Sequence, residues 1–437
     1  MSGSTRVQHE TPPGGHPSLP RGAVDPGFVK AVAGTFLVKA SALALMLTVF
    51  QPTYWFNHLI LDVFAWRGFW ADAQHGLIPY VDMSREYPVL AGLLYWLLSP
   101  IMDPEHGMGM LIVHGSVMLA ADVVAAALAW ACFREISPRH AVAATLALAL
   151  NLTSLTHAPF RFESVLVVFV LAGWHAHLRG RPTRAALWWS LGCLVKWYPA
   201  LLLALQEVQA LTLGQRRQWR RSLAVFAAVS LVNVPFLLAG WIRRGSIDAW
   251  LYPYWFHAHR PLYWDTPYGL WQLWVGPMSM PRLGSVLSLT LVALALVLRP
   301  RAGIEGKAVL VCLAALPLNS FYSSQYHLWF YPFLIALVLR ERDRRRAWAL
   351  ALAGVFLDVA SVLTYPFALT YAFTEMGGFA IGSAAARGGP WTAVFTAAVL
   401  ARMVAVGMLA ALVWRSEATR GDGARVVPSL TGAPATA

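Results

Sequence analysis

The chain has 437 residues, of which 58% are hydrophobic and only 13% charged, with a mean hydropathy of +0.54. A soluble protein of this size has too little interior to hide so much apolar surface, so the soluble globular classes are excluded. The net charge of +13 argues for no nucleic-acid partner, because the basic residues sit in short loops between apolar runs and act as topology signals.

Long apolar runs recur along the whole sequence, the pattern of an all-α, polytopic transmembrane protein in contact with membrane lipids. Residues 1–29 are polar and rich in Gly and Pro, which predicts a disordered cytoplasmic tail. The run over 30–50 is long enough to span, and no small-residue cleavage site follows it, so it reads as a retained helix. One transmembrane domain is predicted over 30–415, with a second disordered cytoplasmic tail over 416–437. Cys132, Cys193 and Cys312 all lie in apolar runs without disulfide or metal spacing and read as small buried hydrophobes.

Basic clusters at 134–139, 179–184, 216–221, 299–307, 342–346 and 415–420 mark the cytoplasmic side, and Arg21 with Lys30 puts the N-terminus there too. The chain must cross an even number of times between any two of them. One helix then leaves at 31–50 and one long helix returns at 107–132. The apolar stretch 88–102 is therefore interfacial or re-entrant, within a large first outer loop over 51–106. The stretch 185–213 has basic loops on both sides, only about thirty residues apart, where two full spans need roughly 40. Lys196 and Pro199 fall in its middle. It reads either as two half-helices or as a distorted re-entrant hairpin, with the lysine at a polar tip. Further helices are predicted at 141–152, 164–178, 222–241, 283–299, 306–320, 326–340, 347–364 and 391–414. The total is about twelve crossings, with both termini inside and no internal repeat.

The predicted outer loops carry the unusual residues. The first holds Asp62, Asp72, Asp82 and Glu86 among aromatics, and Asp62 lies close to the membrane surface, where an acid can act as a general base on a hydroxyl or merely be solvated. The second carries HAPFRFESV (157–165), with Arg161 and Glu163 placed for an anion contact or for an interfacial pair. The third carries His257, His259 and Arg260 among aromatics; HxH lacks a third metal ligand nearby, and Arg260 suits a phosphate. The fourth carries Ser324, Gln325, Tyr326 and His327 at the mouth of a helix. Acids on one outer surface would face Lys196, Arg161 and Arg260, an arrangement that suits an amphipathic lipid phosphate.

The order of these motifs resembles the GT-C superfamily of membrane glycosyltransferases, and more closely its family 87, which uses polyprenyl-phosphate sugars. Asp62 is followed by G-x-x-PY at 76–80 and EYP at 86–88. R-F-E at 161–163 resembles R-[FY]-D, V-K-W-Y-P at 195–199 resembles L-K-x-Y-P, and S-S-Q-Y-H-L-W at 323–329 resembles S-P-Q-Y-x-x-W. The HAHRPLYWDTPYG segment resembles a further H-x-x-R-x-L stretch. The resemblance covers about 60–380 in order; YPV stands for YPP, Glu163 for Asp and Ser324 for Pro.

The resemblance implies a GT-C-type fold and inverting transfer of a sugar, mannose first, on the outer face of the bacterial inner membrane. The donor would be a polyprenyl monophosphate sugar and the acceptor a hydroxyl of a glycolipid or glycan. Asp62 matches the family's catalytic acid and becomes the first choice of base, ahead of Asp82 and Glu86. Lys196, Arg260 and Arg161 would hold the donor phosphate. Asp82, Glu86, Tyr87, Glu163, His257, His259, Gln325, Tyr326 and His327 would contact substrates. The resemblance requires no metal, and no cofactor is implied. The rivals are a transporter or lipid-linked sugar flippase, a non-catalytic assembly factor, and a transferase of a non-sugar group.

Overall fold

Backbone N–H and C=O groups have no water to bond with inside a bilayer, so a continuously apolar run satisfies them within itself as an α-helix. The computed structural model describes residues 24–51, 53–260, 263–276, 286, 289–290, 292–293, 303–319, 322–375 and 389–420, and among these no strand forms. Five helices are long and apolar enough to cross a membrane: Pro26–Phe50, Gly107–Ile136, Arg216–Arg244, Arg344–Glu375 and Pro390–Ser416. A sixth results if Ala141–Leu150 and Leu152–Phe160, bent by 56°, are one span. The predicted helix at 283–299 lies largely outside the described residues. The remaining predicted crossings are shorter helices: Glu163–Leu178, Pro182–Cys193, Pro199–Thr212, Ile304–Leu318 and Tyr331–Arg340.

The long helices turn apolar side chains outward. Leu37, Leu238 and Leu352 are all well exposed, and Ile242 is 79% exposed. At about 25 cal/mol per Å² such faces are costly in water and costless against lipid tails. The buried interior is aromatic, with Trp70, Trp174 and Trp189 fully enclosed.

The ends differ slightly from expectation. The first helix starts at Pro26, because the Asp25 side chain accepts from Gly27 N at 2.8 Å and proline is favourable at a helix start. The last helix continues to Arg420.

Four interruptions of the helices position the site. The segment predicted as the first outer loop folds into short helices, labelled α1 (Tyr54–Leu59), α2 (Leu61–Ala65), α3 (Arg67–Gln74) and α4 (Val89–Leu98). Its PY and EYP motifs lock together: Tyr80 Oη donates to Tyr87 O and Pro88 O, each at 2.8 Å. Gly92 admits that phenol, since a Cβ there would lie 2.3 Å from the Tyr80 hydroxyl.

The second interruption is the bend at Asn151. Asp358 accepts from Leu152 N (2.6 Å) and from the Thr153 hydroxyl (2.6 Å), tying the bend to the span 344–362. The third is the gap between the short helices Pro182–Cys193 and Pro199–Thr212, with Lys196 in the gap. Leu90 N donates to Leu194 O at 2.7 Å, so the gap is anchored to the start of α4. The fourth is at Tyr365, whose φ of −141° and ψ of 128° are non-helical, as the proline that follows it favours.

Candidate functional site

The acid Asp62 stands in the first turn of α2. Arg161 follows the short 3₁₀ turn Ala158–Phe160 and precedes the helix Glu163–Leu178. The two side chains form a direct ion pair, Arg161 Nη1 to Asp62 Oδ2, with the arginine 6% and the acid 38% exposed. The other arm of the guanidinium, Nη2, donates to Tyr365 Oη at 3.0 Å, and Tyr365 Oη donates to His58 O at 2.8 Å. A rigid planar fork suits such a two-partner contact. Arg161 Nε is buried without a hydrogen-bond partner.

Lys196 Nζ donates to Glu163 Oε1, and Gln325 Nε2 donates to the same oxygen at 3.1 Å. Four rings surround the ammonium: Tyr326 at 4.9 Å, Phe162 at 5.0 Å, Trp329 at 5.4 Å and Tyr87 at 5.6 Å. A buried ammonium with a carboxylate partner and ring faces is compensated where a lone one would not be. Glu163 is fully buried, and its Oε2 and the Gln325 Oε1 have no hydrogen-bond partner.

The third predicted outer loop supplies the helix Asp248–His259. His257 Nε2 lies 2.9 Å from Glu86 O, so that nitrogen carries the proton. Burial, with the Arg260 charge second, pushes His257 down to about 4 and keeps the imidazole neutral at pH 7. Its ring packs edge-on against Trp197, 4.8 Å away, next to the lysine. Burial pushes the Glu86 carboxyl up, opposed by Arg260, Arg85 and Lys196. Arg260 lies over the Phe256 ring at 5.6 Å. These dependences bring Glu86, Arg260 and Lys196 into one electrostatic neighbourhood.

Three predicted residues have their partners elsewhere. His259 is exposed and bonds its own helix at Trp255 O (2.8 Å). Asp82 accepts from Ile78 N at 3.0 Å and pairs with Arg243 at 3.2 Å, which makes it a loop brace. His327 is fully buried, with Nε2 2.8 Å from Tyr322 Oη.

Several participants escaped the sequence reading. Tyr365 joins two of the motifs by three contacts: it takes the Arg161 arm, its ring stacks on His157 at 5.7 Å, and its carbonyl accepts from Ser324 Oγ at 3.1 Å. Ser324 Oγ also lies 2.6 Å from His157 Nε2. Arg402, fully buried in the last span, pairs with Asp265 at 3.8 Å and covers the Tyr322 ring at 4.1 Å. An arginine inside an apolar run is a legible signal; a tyrosine before a proline is not.

Among the described residues no group of three His, Cys, Asp or Glu is placed to hold a metal ion. Compared with family models and with curated proteins, the chain has no match to either. The site therefore rests on its own geometry. It has one partly open carboxylate paired to a fixed arginine, beside a buried glutamate–lysine pair in an aromatic collar.

Proposed function

We propose that the protein is an inverting glycosyltransferase on the outer face of a bacterial inner membrane. It moves a sugar, mannose first, from a polyprenyl monophosphate donor to a hydroxyl of a cell-envelope glycolipid or glycan. The observation that carries this reading is the Asp62–Arg161 ion pair, which joins a partly exposed acid to a cation held from behind by Tyr365.

The reaction balances around that pair. The acceptor oxygen bonds to the anomeric carbon as the bond from that carbon to the phosphate oxygen breaks. The acceptor's proton passes to Asp62. Asp62 goes from −1 to neutral while the phosphate goes from −1 to −2, so one unit of negative charge moves from acid to leaving group. Arg161, freed from the neutralised acid, stabilises the phosphate. Arg260 supplies a second positive group. Lys196 Nζ is engaged by Glu163 in the structure, so we assign it a neighbouring charge and not the primary phosphate contact.

The transporter reading has one observation in its favour. Lys39 and Asp122 pair at 3.4 Å between two spanning helices, and Lys39 also donates to Ser154 O at 2.7 Å. Intramembrane ion pairs often line transport paths. Proteoliposomes containing the full chain and polyprenyl-phosphate mannose separate the two: a new glycosylated product supports transfer, and lipid or sugar flux without product supports transport.

A further inference from the structure

A buried polar atom without a partner costs about 1–3 kcal/mol, so two of them in adjoining groups call for an explanation. Glu163 and Gln325 are such groups. The glutamate is fully buried and the glutamine 4% exposed, and they meet through the 3.1 Å bond from Gln325 Nε2 to Glu163 Oε1. Lys196 occupies the same Oε1. Every polar contact is thus made on one side of the pair, while Glu163 Oε2 and Gln325 Oε1 are left as acceptors without donors. The atoms they lack are hydrogen-bond donors that carry no negative charge. A phosphate meets the glutamate as a like charge and is excluded; hydroxyl groups fit. The rings of Tyr87, Phe162, Tyr326 and Trp329 close around the same lysine. Aromatic walls with a few fixed polar atoms form the usual lining of a small-molecule site.

We infer that Glu163 and Gln325 recognise hydroxyl groups of the transferred sugar and set which sugar the donor site accepts. This rests on the transferase reading. Lys196 then acts as a positioning residue: it fixes the Glu163 carboxylate so that Oε2 faces the sugar. Tyr87 is the partly exposed member of the cluster, so the sugar enters past it.

The test uses the full chain in nanodiscs. Binding of polyprenyl phosphate is compared with that of its mannosyl, glucosyl and arabinosyl forms, for wild type, Gln325→Ala and Glu163→Gln. Transfer is then measured with monodeoxy mannosyl donors. Wild type is expected to bind one glycosylated form at least ten-fold more tightly than the bare carrier, and both variants to lose that preference. One deoxy donor should react ten- to a hundred-fold more slowly with wild type, yet no more slowly than the parent donor with Gln325→Ala. A purely structural role predicts equal weakening toward every carrier and every donor, and that result overturns the inference. So does a wild type that binds bare and glycosylated carriers alike. If Gln325→Ala does not fold, Gln325→Asn withdraws the amide by one methylene and tests the same loss of preference. Sugar-dependent binding without transfer contradicts the transferase reading and leaves the recognition pair standing. Transfer with an unaltered sugar preference in the variants does the reverse.

Discussion

Asp62 and Arg161 pair directly across a boundary between exposed and buried surface, with 38% of the acid and 6% of the arginine accessible. Because Tyr365 holds the far arm of the guanidinium, the acid is the member free to move. An exposed pair alone contributes little to stability. On the proposed mechanism its value is in reactivity, since a base beside a fixed cation would hand that cation to the leaving group once it is protonated.

Arg161→Lys should lower kcat/KM for sugar transfer by about 100-fold, the scale of losing one fixed transition-state donor. A lysine has no fork with which to reach both Asp62 and Tyr365. Tyr365→Phe, which removes only the hydroxyl, should cost about five- to ten-fold, the value of one hydrogen bond. Steady-state transfer by membranes matched for expression measures both.

The Glu163–Lys196 pair predicts strong non-additivity. Removing either partner leaves a buried charge alone, so Glu163→Gln and Lys196→Met should each destabilise the protein by about 3–5 kcal/mol. The double variant should recover most of that loss. Melting of the four proteins in detergent gives the coupling, and a double variant as unstable as the sum of the singles contradicts it.

His257 predicts an acid-sensitive contact between the helix Asp248–His259 and the Glu86 segment. Its pKa falls from an ordinary 6.5 to about 4 on folding, so between those values the unfolded chain binds the extra proton. Its contribution is fully present above about pH 6.5 and is lost as the pH falls toward 4, in total about 2–3 kcal/mol. The melting temperature of wild type should therefore drop between pH 7 and 4.5 by more than that of His257→Gln, which keeps a side-chain donor for Glu86 O but does not titrate.

Arg402→Ala should be among the most destabilising single changes in the last span. It leaves Asp265, 1% exposed, without its cation. Burial already pushes the Asp265 carboxyl up to about 6, so adding Asp265→Asn to Arg402→Ala should restore part of the folded yield. Detergent-extracted monomer yield, read by size-exclusion chromatography, checks the order.

The break between Cys193 and Pro199 was legible because two basic loops stand too close together for two spans, and because Pro199 and Lys196 fall between them. The association of Arg161, Glu163, Lys196 and Gln325 was legible only in part: motif order placed them on one side, but not in pairs. Lys196 pairs with Glu163, a partner that no sequence pattern names, because a carboxylate 33 residues away in sequence packs against it once the helix Glu163–Leu178 lies on the short helix Pro182–Cys193. Asp82 stood beside Glu86 in sequence as an alternative base behind Asp62. Arg243, from a distant helix, makes it a brace. Tyr365 and His157 carry no local signature at all, since their contacts arise from packing between spans far apart in the chain.

The most direct measurement is transfer of radiolabel from polyprenyl-phosphate mannose in membranes carrying wild type or Asp62→Asn at equal expression, with the glucosyl and arabinosyl donors run alongside. A general base contributes about 10²–10⁴-fold, so wild type should make labelled product with one of these donors and Asp62→Asn at most about one per cent as much. Equal product from the two proteins contradicts the role of Asp62, and no product from wild type with any of the donors contradicts the proposed transferase itself.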